Sequence, residues 1–182
     1  MALIDKNTTI PQLLRNVVKH LHSENDTFLI RKVKDTWEET SFKDTLAYAD
    51  AISSYFLEIG IEKGDRLGFI MENCPEYVYY DQALQQIGAI NTSIYPTLSE
   101  NEIEYILNDS GVKTILVGSP FLLKKIIKIA DQCPELIRII PVFDDFEKIF
   151  DPLRGRLFLP HKTCFSFEFS KELYNLHIYI GT

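Results

Sequence analysis

Side chains that carry chemistry are few in this chain, and they are scattered. Cys74, Cys133 and Cys164 lie far apart, are odd in number and form no C-x-x-C pair, so neither a zinc cage nor a dithiol redox pair is signalled. They read as three reduced, buried thiols. His20 and His22 sit two apart on a predicted helix and point to different faces, so they cannot share a metal there. His161 and His177 have no identifiable partner. Asp144-Asp145 is an acidic pair for which a solvated turn is a simpler reading than a metal site. Lys124, Lys125 and Lys128 read as a solvated helix face rather than a phosphate or headgroup patch. No G-x-G-x-x-G, Walker or G-x-S-x-G sequence occurs. Residue types alone therefore nominate no catalytic residue and no metal ligand.

The elements that would position a site are clearer. Thr8 or Thr9 caps a predicted helix to about His22, with Leu13, Leu14, Val17, Val18 and Leu21 as its buried stripe. Thr27 to Val33 and Thr36 to Ser41 read as a hairpin about Lys34-Asp35, with Trp37 on the core face. Ser41-x-x-Asp44 opens a helix that Gly60 ends. From Gly60 the chain reads turn, strand, turn, helix, turn, strand. Residues 66–71 form an apolar run without alternation, as in a strand buried on both faces. Cys74-Pro75 opens a helix and Gly88 closes it. Residues 89–95 give the next strand. Ser99-x-x-Glu102 is a full capping box for a helix stopped by Gly111. Residues 113–117 and 137–143 give two more strands around a helix opened by Ser119-Pro120. This alternation predicts an α/β fold, a mainly parallel sheet with helices on both faces.

Several of these punctuation residues also carry a family likeness. Gly60-x-x-x-Gly64-Asp65-Arg66, Asn73-x-Pro75-Glu76-Tyr77, Gly88-Ala89 and Tyr95-Pro96-Thr97 resemble, in that order, the N-terminal part of the AMP-forming acyl-adenylating enzymes. Tyr95-Pro96-Thr97 followed by residues 102–111 is most similar to the long-chain fatty acid CoA ligase branch. The likeness runs from Thr9 to Asp145 and rests on scaffold residues. It implies the N-terminal portion of the large domain of such an enzyme, truncated, with residues 1–145 in the AMP-binding domain and 146–182 as an uncertain tail.

In that family a fatty acid carboxylate attacks the α-phosphate of ATP, and the thiol of CoA then displaces AMP. The cofactors implied are ATP, Mg²⁺ and CoA, and the substrate is a fatty acid. The resemblance places the start of a Ser/Thr/Gly-rich phosphate loop near the terminus. There Ile178-Tyr179-Ile180-Gly181-Thr182 offers Gly181 and Thr182 as a remnant. The magnesium, ribose and lysine positions of the family have no counterpart, so these ligands are not expected to bind well and the chain alone is expected to be inactive. Two other readings stay open: a non-catalytic α/β module for a nucleotide or a protein, and a fragment of an enzyme that adenylates another carboxylic acid.

Composition sets outer bounds. The chain has 182 residues, 46% hydrophobic and 25% charged, ordinary for a globular domain. Its net charge of -7 argues against nucleic-acid binding and gives no electrostatic reason to adsorb on anionic membrane. No secretory signal or membrane-spanning stretch is read, so a cytoplasmic location is expected, with any membrane contact peripheral and on the inner face. Self-association is expected, because a truncated scaffold leaves apolar faces uncovered. Seven of the twelve phenylalanines fall between Phe143 and Phe169, where Phe165, Phe167 and Phe169 alternate as in a strand. Asp151 to His161 shows no period.

Overall fold

The computed structural model describes residues 4–143 and 157–158. Helix α1 (Ile10–His20) leads to strands β1 (Thr27–Val33) and β2 (Thr36–Ser41) and then to α2 (Phe42–Glu58). The α/β part follows as β3 (Arg66–Ile70), α3 (Pro75–Ile87), β4 (Ile90–Ile94), α4 (Glu100–Ser110), β5 (Thr114–Val117), α5 (Pro120–Ile129), β6 (Arg138–Pro141) and β7 (Leu157–Phe158). The helix starts are chemically encoded. Thr9 and Ser99 each form a complete capping box, with Gln12 and Glu102 reaching back to the cap amide. Ser41 accepts from the amide of Asp44 at 3.0 Å, and Ser119 from that of Leu122 at 3.3 Å. Gly88 and Gly111 end α3 and α4 with φ of 75° and 64°, a left-handed conformation that glycine adopts without a Cβ clash.

The sheet runs in the order β4-β3-β5-β6-β7 and is parallel throughout. Helices cover both faces, as the alternation predicts. On one face Leu67, Phe69, Leu116 and Ile140 join Ile52 and Phe56 of α2 and Tyr80 and Leu84 of α3. On the other Ile70, Ile115, Val117 and Ile139 meet Ile103 and Leu107 of α4 and Leu122 and Ile126 of α5. From Leu67 to Ile70 β3 is buried, which explains why its sequence lacks alternation.

Three expectations need correction. Trp37 is 65% exposed. The β1–β2 hairpin is a separate two-stranded sheet, and Trp37 pairs with Lys32 on its outer side, where the ammonium lies 5.9 Å from the indole centroid. The inner side presents Leu29 to the core instead. Leu21 is 61% exposed, because α1 stops at His20 and the chain turns away before the stripe continues. Of the α5 lysines Lys124 and Lys128 are exposed as expected, but Lys125 is half-buried rather than solvated. Lys125 Nζ donates to the carbonyls of Leu98 and Pro96 at 2.8 and 3.3 Å, and Lys128 pairs with Glu100 at 2.8 Å. A strand was also unread: Leu157–Phe158 extends the sheet beside β6, within a stretch lacking any period.

Gly118 follows β5 where the chain passes closest to the end of β3. Its amide donates to Ile70 O at 2.9 Å, and an added Cβ would lie 2.2 Å from Met71 Cβ and 2.9 Å from Met71 Cα. Both obstacles are rigid. Gly118→Ala is therefore expected to destabilise the chain by about 1–3 kcal/mol through forced backbone movement. Denaturant unfolding measures this, and an unchanged midpoint would show that the two loops are not in such close contact.

Candidate functional site

Ligands of open parallel sheets sit outside the carboxyl ends of the strands, where the strand order reverses. Here the chain passes from β3 outward to β4, then returns over β3 to β5. The switch point therefore lies between β3 and β5. A cleft of about 340 Å³ occupies it, lined by Met71 and Glu72 after β3, Cys74 and Glu76 at the start of α3, Gly118 after β5, and Arg31 from the hairpin. The close Gly118–Met71 approach forms one wall.

Arg31 sits at the centre of the electrostatics. Its Nη2 lies 2.7 Å from Glu38 Oε2 on β2, and its Nη1 lies 2.9 Å from Glu76 Oε1 in the first turn of α3. The guanidinium thus ties the hairpin to the β-α-β unit. The Glu38 hydrogen bond, followed by the two carboxylate charges, pushes its pKa up against the opposing effect of burial. The Arg31 and Glu38 side chains are 42% and 52% exposed and that of Glu76 is 23%, so each pair is worth about 1 kcal/mol at most. The hairpin also contacts α3 through Tyr79, whose hydroxyl donates to Thr40 Oγ1 at 3.1 Å. Burial raises the Tyr79 pKa and keeps that donor protonated.

Cys74 is the N-cap of α3 but makes no side-chain capping bond, and Pro75 at the first helical position removes one amide donor. Burial pushes the thiol up to about 11, the nearby Glu76 carboxylate adds to this, and the Tyr77 backbone amide opposes it. A neutral thiol is a poor nucleophile and a poor metal ligand.

A triphosphate does not fit this cleft. A phosphate site at a helix start needs free amides and an available cation. Here the start of α3 offers one donor fewer, two carboxylates at Glu72 and Glu76, and an arginine already held by two carboxylates. No group of three His, Cys, Asp or Glu among the described residues is placed to hold a metal ion. No chemical step is routed through the cleft. Gly181 and Thr182 lie outside the described residues, as do Asp144-Asp145, His161, His177, Cys164 and the Phe165–Phe169 alternation. His20 and His22 are on α1 and just beyond it, away from the cleft, and His22 Nδ1 lies 3.3 Å from Asp26 Oδ2. The sequence reading missed Arg31, since nothing local marks a hairpin arginine that pairs 45 positions away.

Comparison with known proteins places this framework. The profile of the family described as AMP-binding enzyme matches residues 19–155. Fatty acyl-CoA synthetase A of Dictyostelium discoideum is 26% identical over 155 residues, which cover 76% of this chain and 23% of that protein. The mitochondrial medium-chain acyl-CoA ligase ACSF2 of Rattus norvegicus is 34% identical over 120 residues, covering 60% of this chain and 20% of its own. A crystal structure of a long-chain-fatty-acid-CoA ligase from Archaeoglobus fulgidus shares the fold with a TM-score of 0.67, at 21% identity, over 78% of this chain and 28% of that one. The chain thus spans less than a quarter of the length of either curated relative.

The Cys74 environment can be tested directly. A thiol raised to about 11 stays protonated well above neutrality, whereas an unfolded cysteine near 9 does not. Between these values the unfolded state loses its proton first, so this thiol's contribution to stability falls as pH rises. At pH 8, alkylation of Cys74 by iodoacetamide, followed by peptide mapping, is expected to be at least about tenfold slower than in urea-unfolded chain. Equal rates would mean that the thiol is neither buried nor neutral.

Proposed function

The chain belongs to the AMP-binding enzyme family, and on that premise we propose that it is the N-terminal scaffold of a long-chain fatty acid CoA ligase. The parent reaction joins a fatty acid to CoA with conversion of ATP to AMP and pyrophosphate. One observation carries the reading: the family match covers the whole strand–helix alternation from β3 to β6, and its relatives are fatty acyl-CoA ligases. The proposed role of this part is architectural. It holds the parallel sheet and the switch-point cleft, while ATP, Mg²⁺ and CoA chemistry belongs to the parent enzyme. Gly181 and Thr182 are the proposed remnant of its phosphate loop. The proposed location is the cytoplasm, with any membrane contact peripheral and on the inner face; no described helix is long and apolar enough to cross a membrane.

The scaffold alone is proposed to be inactive. Attack of a carboxylate on a phosphate needs preorganised donors around the developing charge, and losing even one can cost about 10²–10³ in rate. Purified 182-residue chain is therefore expected to show no fatty-acid-dependent exchange of labelled pyrophosphate into ATP, with Mg²⁺ and a long-chain acid present. Exchange above a no-acid control, lost on deleting residues 178–182, would instead make Gly181 and Thr182 working phosphate ligands. A second expectation concerns assembly. Ile90 at the outer strand β4 and Tyr105 and Phe121 on neighbouring helices are 48%, 68% and 65% exposed. Light scattering is expected to show self-association that grows with concentration, and a monodisperse monomer at high concentration would count against a scaffold lacking its partners.

A further inference from the structure

The main sheet has five strands, and among the described residues β1 and β2 pair with each other rather than with it. An isolated two-stranded hairpin is marginal in water, so contact with the body must hold this one in place. That contact is slight. No residue from Thr27 to Ser41 is buried. Phe28, Leu29, Val33, Thr40 and Ser41 are half-buried, and the others are exposed.

The ties are graded along the hairpin. At its base Phe42 N donates to Asp26 O at 3.1 Å and Lys43 N to Glu24 O at 2.8 Å. The Phe28 ring stacks on that of buried Phe42, with centroids 4.5 Å apart. One step further, Leu29 packs against the core and Thr40 accepts from the Tyr79 hydroxyl. Arg31 comes next on the same inward side. Its bond to Glu76 reaches α3, whereas its bond to Glu38 stays within the hairpin. Beyond Arg31 the tip from Lys34 to Glu39 is exposed. Arg31 also lines the switch-point cleft, together with Cys74 and Gly118.

We propose that the β1–β2 hairpin is a flap on the switch-point cleft, hinged at residues 26–28 and 40–42 and latched by the Arg31–Glu76 ion pair. Regions with few buried contacts open at free energies well below that of global unfolding. Release of the latch carries the Arg31 wall away from the cleft. It also uncovers the inward side of the hairpin, whose ladder then frays. The Glu38 bond survives opening, because both of its partners move together. Only the Glu76 bond therefore favours the closed state. The proposal does not use the ligase reading, since it concerns only what holds the hairpin down.

Hydrogen exchange read by mass spectrometry, and iodoacetamide labelling of Cys74 read by peptide mapping, test it on the full chain. In the wild type, amides of β1 and β2 are expected to exchange at least about tenfold faster than those of β3 and β5. Arg31→Met keeps the aliphatic stem and removes both bonds. Exchange in the hairpin and labelling of Cys74 should each rise about threefold to fivefold, as for the loss of one exposed ion pair, with β3 and β5 unchanged. The change leaves the Glu76 carboxylate, which already raises the Cys74 thiol, without its counter-charge. That alone would slow labelling, so a faster reaction reports access. Glu38→Gln breaks only the bond within the hairpin and should leave Cys74 labelling at the wild-type rate. Salt at about 1 M screens the latch. It should accelerate Cys74 labelling in the wild type but not in Arg31→Met, a response that an apolar contact would not give. Wild-type labelling of Cys74 in Arg31→Met would overturn the proposal. So would an equal acceleration of exchange in β3 and β5, since that is loss of global stability rather than opening of a flap.

Discussion

The arrangement depends on the burial of β3 from Leu67 to Ile70. This strand is paired on both edges, to β4 and to β5, and covered on both faces by helices. The buried positions admit no charge, and where the strand meets β5 and the loop leading into it most closely they admit no side chain. Gly68 illustrates the limit, because a Cβ there would lie 3.1 Å from Ile115 Cγ1 and 3.2 Å from Val112 Cγ1. Parallel neighbours on both sides force two crossover connections over opposite faces, since parallel strands cannot be joined by a tight turn. The placement of α3 with α2 on one side and α4 with α5 on the other follows from that requirement. So does the cleft, which exists because the connections leaving the carboxyl ends of β3 and β5 run in opposite directions.

Much of this was legible because the signals were local. Capping at Thr9, Ser41, Ser99 and Ser119, Pro75 at a helix start, and Gly88 and Gly111 at helix ends depend on backbone geometry within four residues. Apolar periodicity then assigned the inward faces. What could not be read depends on residues distant in sequence. Trp37 is outside because β1 and β2 form their own sheet, a fact of topology rather than pattern. Lys125 bonds two carbonyls nearly thirty positions earlier, and Arg31 reaches Glu76 across the hairpin. The need for glycine at 118 comes from Met71, which no local rule connects to it. The cleft was not visible either, since it is assembled from the ends of strands that only pairing brings together.

The carboxyl and amino edges of the sheet differ in charge for a structural reason. In an α/β sheet the helices run opposite to the strands, so helix starts gather at the carboxyl edge and helix ends at the amino edge. The amino edge here collects three cations, Arg66, Lys113 and Arg138, beside two carboxylates, Glu62 and Asp65, in keeping with the negative ends of α2 and α4. The carboxyl edge collects Glu72 and Glu76, in keeping with the positive start of α3. Arg31 then neutralises part of that acidic edge from outside the sheet. The scaffold is thus polarised along its strands while both faces remain apolar.

The return of the chain over β3 has a consequence for synthesis on the ribosome. β3, α3 and β4 are complete once Ile94 has emerged, but the strand that closes the other edge of β3 ends only at Val117. Between those points β3, buried from Leu67 to Ile70 in the finished fold, presents an unpaired row of amides and carbonyls. Unpaired strand edges invite association with other chains. At typical rates of elongation, about 5–20 residues per second, that edge stays open for about a second or more in each nascent chain. The capped helix α4 forms within this interval and is already positioned to lay β5 alongside. Local helix signals in this stretch therefore let the edge close without further delay once β5 is complete.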